Sequence, residues 1–180
     1  MTTCTRTDNK HILDKHIQRM HRVNTEERVE KAVSLFKQGY NCSQSVVMAF
    51  ADIYGMDDDF AAHISGSFGG GIGRMRETCG TACGMFMLAG LEVKGDYPNA
   101  ELKKSNYEAV QALAEEFRNA TGSLLCRELL GLNKKRADGT LPEIHITATP
   151  EARTDEYYKK RPCVRMVELA TRIYCDYLNK

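Results

Sequence analysis

The chain is defined first by what it lacks. No apolar run approaches the roughly 20 residues needed to span a bilayer, and the N-terminal MTTCTRTDNKHILDKH has no apolar signal core. Neither a membrane span nor secretion is therefore expected, and the cytoplasm is the expected compartment. Formal net charge is +1, with acids and bases mixed along the chain, which leaves no basic footprint for nucleic acid. There is no C-x-x-C pair, no C-x-x-C-H haem attachment site and no tight zinc-knuckle spacing. No Ser–His–Asp order and no P-loop occur. The one glycine cluster, GGGIG, follows no strand pattern, which excludes a dinucleotide fingerprint. No strand alternation persists beyond a few residues, and there is no internal repeat.

What is present is helical. The 180 residues are enough for one domain with a real core. We expect an all-α, compact multi-helix bundle, with residues 1–23 as an N-terminal segment and 24–180 as a single helical domain. Asn24, with Glu27 three residues on, opens a helix to Lys37 on the stripe Val29, Ala32, Val33 and Phe36. Asn41 caps a second helix, Cys42 to about Tyr54, which Gly55 closes. Asp57 to Asp59 favour a third start through the helix dipole. A Gly-rich loop follows and leads into a central helix of small residues, about Thr78 to Val93. Gly80, Ala82, Gly84, Ala89 and Gly90 would there let a neighbouring helix approach closely. Asn99 caps the next helix, to about Ala120, and Ser123 starts a short one, Leu124 to Leu130. Residues 133–161 are polar and weakly patterned and read as a long ordered loop. Pro162 opens the last helix.

The organising stretch is SFGGGIGRMRETCGTACGMFMLAG, Ser67 to Gly90. Glycines Gly69, Gly70 and Gly71 free the backbone, and a Gly-rich loop entering a helix can aim N–H groups at an anion or a thiolate. Together with Arg74 these glycines are the candidate cofactor-binding residues. Seven cysteines stand at 4, 42, 79, 83, 126, 163 and 175, an odd number that leaves at least one without an intrachain partner. Cys42, Cys126 and Cys163 each fall in the first turn of an expected helix, and Cys79 lies near the start of a fourth. A helix start stabilises thiolate, the form that attacks disulfides and binds soft metals. If four N-termini converge, the thiols share one electropositive pocket to which Arg74, Arg76 and Arg127 add charge. Buried cysteines acting as small apolar residues are the plain alternative. Cys83 shares a helical face with Cys79 and is either a resolving thiol or a core residue. The histidines His11, His16, His21, His63 and His145 show no ligand spacing.

The segments YNCSQSVVMAF, SFGGGIGRMRETCGTACG, LLCRELLG and RPCVRMVELA resemble the redox-active family named for its C_GCAxxG_C_C cysteine pattern, over roughly Asn24 to Leu178. The resemblance implies a small helical protein with a redox role and makes Cys42, Cys79, Cys126 and Cys163 the motif cysteines. The sequence departs from the pattern in reading GTACG after Cys79, which adds Cys83, and in the length of 133–161. A related domain occurs in split-Soret cytochromes. Without a haem-attachment motif, only a non-haem iron centre could carry over.

Three readings stay open. In the first, Cys42, Cys79, Cys126 and Cys163 hold an iron–sulfur cluster or another thiophilic metal for electron transfer. In the second, the chemistry is metal-free dithiol–disulfide exchange, with Cys79 reactive and Cys83 or Cys42 resolving. In the third, the chain is a non-catalytic helical binding module. A redox partner is expected under the first two readings, and a homo-oligomer is compatible with all three. The sequence names no substrate and does not decide whether the chain is an enzyme.

Overall fold

The computed structural model describes residues 22–180 apart from His145. Cys4, His11, His16, His21 and His145, with nearly all of the segment 1–23, lie outside the described residues.

Among those residues the chain forms eight α-helices and one 3-10 turn. In chain order these are α1 Thr25–Lys37, α2 Cys42–Ala49, the 3-10 turn Ala51–Tyr54, α3 Asp58–Gly66 and α4 Gly80–Glu92. They continue with α5 Ala100–Thr121, α6 Cys126–Leu129, α7 Asp155–Lys160 and α8 Cys163–Leu178. The all-α expectation is met.

Polar caps set the boundaries. Asn24 Oδ1 accepts the Glu27 N–H at 3.3 Å, and Asn99 and Asp57 likewise accept first-turn N–H groups of α5 and α3. At α2 the box is reciprocal. Asn41 Oδ1 accepts from the Ser43 and Gln44 N–H groups, each at 3.0 Å, while Gln44 Oε1 accepts the Asn41 N–H at 2.9 Å.

Three boundaries differ from expectation. α2 stops at Ala49, because Arg28 Nη1 donates to the Ala49 carbonyl at 2.8 Å and Phe50 leaves helical geometry. α6 is a single turn, and its first N–H groups are drawn into pairing with the glycine loop. α7, capped by Thr154, lies inside the stretch read as loop. It buries no residue, so it shows no apolar period to detect.

α2 and α4 are the centre. α2 packs against α1, α3, α4 and α8, and α4 packs against α2, α5 and α8. Their close approach needs the small residues of α4. A Cβ at Gly84 would stand 3.0 Å from Val46 Cβ and 3.2 Å from the Ser43 carbonyl oxygen. Gly90 has nothing within 4 Å, so the small-residue seam ends before the helix does. Phe36, Phe50, Met85, Leu88, Phe117 and Tyr174 are the largest residues wholly enclosed by the core. Phe50 meets Tyr174 edge to face at 5.0 Å. First and last helices close on each other. Arg172 holds Glu26 at 2.6 and 3.0 Å, and Asn179 exchanges hydrogen bonds with the Val23 backbone at 2.9 and 3.1 Å. No helix among the described residues is long and apolar enough to cross a membrane.

Candidate functional site

Four helix starts meet around one cavity of about 420 Å³. Cys42, Cys126 and Cys163 are the first residues of α2, α6 and α8, and Cys79 is the N-cap of α4. All four line the cavity.

Cys79 and Cys126 are fixed side by side by backbone pairing. The Cys79 N–H donates to the Leu124 carbonyl at 2.7 Å, and the Cys126 N–H donates to the Glu77 carbonyl at 2.7 Å, astride an antiparallel bridge between Thr78 and Leu125. The glycine loop makes this pairing reachable. Gly70, Gly71, Ile72, Gly73 and Arg74 run through five successive positive φ angles, between 55° and 77°. That winding is available to glycine but costs about 1–2 kcal/mol at each L-residue. At Gly71 the requirement is double, because a Cβ there would stand 2.6 Å from Cys126 Cβ.

The loop divides its N–H groups: those of Gly69, Gly70 and Gly71 take no backbone carbonyl of the described residues, and the later ones turn inward. Those of Ile72 through Glu77 donate to carbonyls of residues 67–72 in the same loop. The compact left-handed path spends these six donors on itself. Gly69, Gly70 and Arg74 line the cavity, whereas Gly71 lies outside the lining, behind Cys126.

At three of the four site cysteines the surroundings raise the thiol, against the direction of the helix dipole. Burial, then the charge of Cys42, pushes the Cys79 thiol well above its ordinary value, although the Thr81 hydroxyl 3.2 Å away works in the opposite direction. Burial and then Cys42 also raise Cys126, opposed by the Arg76 guanidinium. Cys163 is pushed up to about 12 by burial and then by Cys42 and Cys126. Desolvation outweighs the dipole because the sulfurs sit in the interior rather than at exposed helix ends. At α2 the first-turn N–H groups of Ser43 and Gln44 are already held by Asn41. Cys42 is the common neighbour, since its charge acts on Cys79, Cys83, Cys126 and Cys163 alike.

Cys83 lies outside the cavity lining, with its sulfur 3.9 Å from the Thr78 carbonyl oxygen. Burial, followed by Cys42, raises its thiol to about 11. Cys175 is wholly buried in the core between α8 and its neighbours. His63 is exposed on α3 and bonds the Asp59 carbonyl, 2.7 Å from its Nδ1.

Of the arginines singled out from the sequence, Arg74 and Arg76 line the cavity. Arg127 instead faces outward and pairs with Glu77 at 2.7 Å. Sequence reasoning missed the other wall. The stretch read as a surface loop supplies Glu151, Arg153, Tyr157 and Arg161 to the lining. Arg153 lies over the Phe36 and Tyr157 rings, 4.4 and 4.7 Å from their centroids, and its Nη2 donates to the Tyr40 carbonyl at 3.3 Å. Arg161 grips Glu151 through both carboxylate oxygens, at 2.5 and 2.6 Å. The signal available was the placement of Arg161 just before Pro162-Cys163, which carries any charge at that position to the site.

Among the described residues no group of three or more His, Cys, Asp or Glu side chains stands close enough to hold a single metal ion. The four cysteines surround a space instead of a point.

The fold and site thus define an all-α protein with a cysteine-lined, arginine-bordered cavity. Residues 40–177 match the family described as "Putative redox-active protein (C_GCAxxG_C_C)", and the chain belongs to that family. No curated protein matches the chain, and no solved structure does.

Proposed function

We propose that this is a redox protein in which Cys42, Cys79, Cys126 and Cys163 hold an iron–sulfur cluster or another thiophilic metal centre. The observation that carries the reading is the convergence of these four cysteines, and no other described cysteine, on one cavity of about 420 Å³. Four thiolates are the usual ligand set of such clusters. Since no group of three described ligands stands close enough for a single ion, the reading calls for a polynuclear centre, whose ligands are spread over the body of the cluster.

The donor set fits chemically. The thiols of Cys79, Cys126 and Cys163, raised by burial, must lose protons to bind metal, and the nearby guanidiniums offset the negative charge that results. Arg76 and Arg161 act on Cys126, and Arg161 and Arg153 act on Cys163. When bound, such a centre supplies electron transfer at a potential set by charge, hydrogen bonds and solvent access. The chain's own part is to enclose the sulfurs, to bring Thr81 and the arginines beside them, and to keep water out with Phe36, Leu129 and Met166. Burial weighs against the metal-free alternative with Cys79 and Cys83 as redox thiols, because attack needs an accessible thiolate.

The test is anaerobic purification, or reconstitution with iron and sulfide, followed by a visible spectrum and metal analysis of the same sample. A visible band with bound iron and sulfide supports the proposal. A colourless, metal-free protein after reconstitution refutes it, and titration of the thiols before and after reductant then tests disulfide exchange.

A further inference from the structure

The rim of the cavity also holds a cluster of charge built around a single carboxylate. Arg74, Arg76 and Arg161 all face one carboxylate, Glu151. That carboxylate serves them unequally. Arg161 reaches both its oxygens through Nη2 alone, at 2.5 and 2.6 Å. The nearest nitrogens of Arg74 and Arg76 stop 3.6 Å from Oε1, beyond hydrogen-bond range. Arg74 spends its Nε on the Thr147 carbonyl at 2.8 Å. Arg76 is the deepest, with its side chain only 7% exposed. A planar carboxylate has too few oxygens for three forked donors, whereas a tetrahedral oxyanion has one edge for Arg161 and further oxygens for the other two. Arg153 adds a fourth charge to the lining, and its buried Nη1 has no hydrogen-bond partner among the described residues. Among the described lining residues Glu151 is the one carboxylate beside these four guanidiniums, so the rim keeps a surplus of positive charge. The Glu151 side chain is 43% exposed, in a segment just after Pro150.

We propose that Arg74, Arg76 and Arg161 form a binding site for a small tetrahedral oxyanion of the phosphate or sulfate type, and that the Glu151 carboxylate is the internal occupant that such an ion displaces. The site stands on the arginine geometry and does not require the cysteines to hold metal.

Isothermal titration calorimetry of the full chain with inorganic phosphate, and separately with sulfate, at low chloride tests it. Saturable binding is expected. Glu151→Gln removes the competing carboxylate and tightens binding by about tenfold, whereas Arg74→Gln and Arg161→Gln weaken it by about tenfold or more, the worth of a charge-assisted hydrogen bond. Arg165→Gln, on the exposed face of α8 outside the cavity, leaves affinity unchanged. Absence of saturable heat in both the wild type and Glu151→Gln overturns the proposal. So does an equal loss in Arg165→Gln and the cavity variants, which marks unspecific charge attraction. If Glu151→Gln fails to fold by circular dichroism, the comparison of wild type with Arg74→Gln and Arg161→Gln decides alone. The readout is separate from the visible spectrum, so this site and the metal reading can fail independently.

Discussion

Gly80 is pressed against Cys42. A Cβ on Gly80 would stand 2.5 Å from the Cys42 sulfur and 2.7 Å from the Phe68 carbonyl oxygen. The first residue of α4 thus sets how near the sulfur of α2 comes to the rest of the site. Gly80→Ala is expected to destabilise the fold by about 1–3 kcal/mol, the usual range for overpacking. It should also impair the site more than an equally destabilising core change such as Ile173→Val. Urea midpoints and the metal-to-protein ratio measured on both variants check this. Equal metal content in the two would show that the contact matters only for packing.

Cysteine substitutions should separate the site from the core. Cys42→Ser, Cys79→Ser, Cys126→Ser and Cys163→Ser are each expected to remove or strongly alter the visible band. Cys175→Ala, wholly buried and away from the cavity, should lower stability by about 1 kcal/mol or more while leaving the band intact. Loss of the band in Cys175→Ala would mean that the four ligands are wrongly chosen.

Alkaline pH should weaken the metal-free protein. Burial raises the thiols of Cys79 and Cys126, and takes Cys163 to about 12 and Cys83 and Cys175 to about 11. In the unfolded chain these groups titrate near ~8.5. Between those values the folded state binds more protons, so stability is full below ~8.5 and falls as pH rises through the window above it. Urea midpoints in reductant at successive pH values from neutral to strongly alkaline should decline. A midpoint that rises over that interval would contradict the buried-thiol arrangement.

Arg153 should hold the segment before α8 in place. Its guanidinium lies over Phe36 and Tyr157 and reaches the Tyr40 carbonyl, tying that segment to α1 and its exit turn. Arg153→Ala is expected to cost about 1–2 kcal/mol. It should also speed hydrogen exchange in residues 150–161 more than in α5. Uniform acceleration across both would indicate general destabilisation instead of a local tether.

The helix starts were legible because their signals are local. Asn24, Asn41, Asp57 and Asn99 each reach N–H groups two or three residues ahead, and such spacing can be read along the chain. Placement of Cys42 at a helix start followed from Asn41, and that of Cys126 and Cys163 from Ser123 and Pro162 just before them. The positive wall was illegible because its contacts are long-range. Glu151 meets Arg74 and Arg76 across more than seventy residues, and Arg153 meets Phe36 across more than a hundred, with no period linking them. The protonation of the thiols was misread for the same reason. A helix dipole is visible in the sequence, but the desolvation that outweighs it arises only when α2, α4 and α8 enclose the sulfurs. The glycine loop was recognised as a sharp turn, yet the self-bonding of its N–H groups depends on the left-handed path of Gly70 to Arg74.

The pairing of α1 with α8 has a consequence for synthesis. The four sulfurs come from positions 42, 79, 126 and 163, so only a fragment that spans at least residues 42–163 carries all of them. While the ribosome is still making α8, Cys42 and Cys79 are already outside it but lack the wall that will bury them. Completion of the C-terminal helix is therefore the event that turns scattered, oxidisable thiols into one enclosed chamber, and a chain cut short before Cys163 would leave the chamber open on that side.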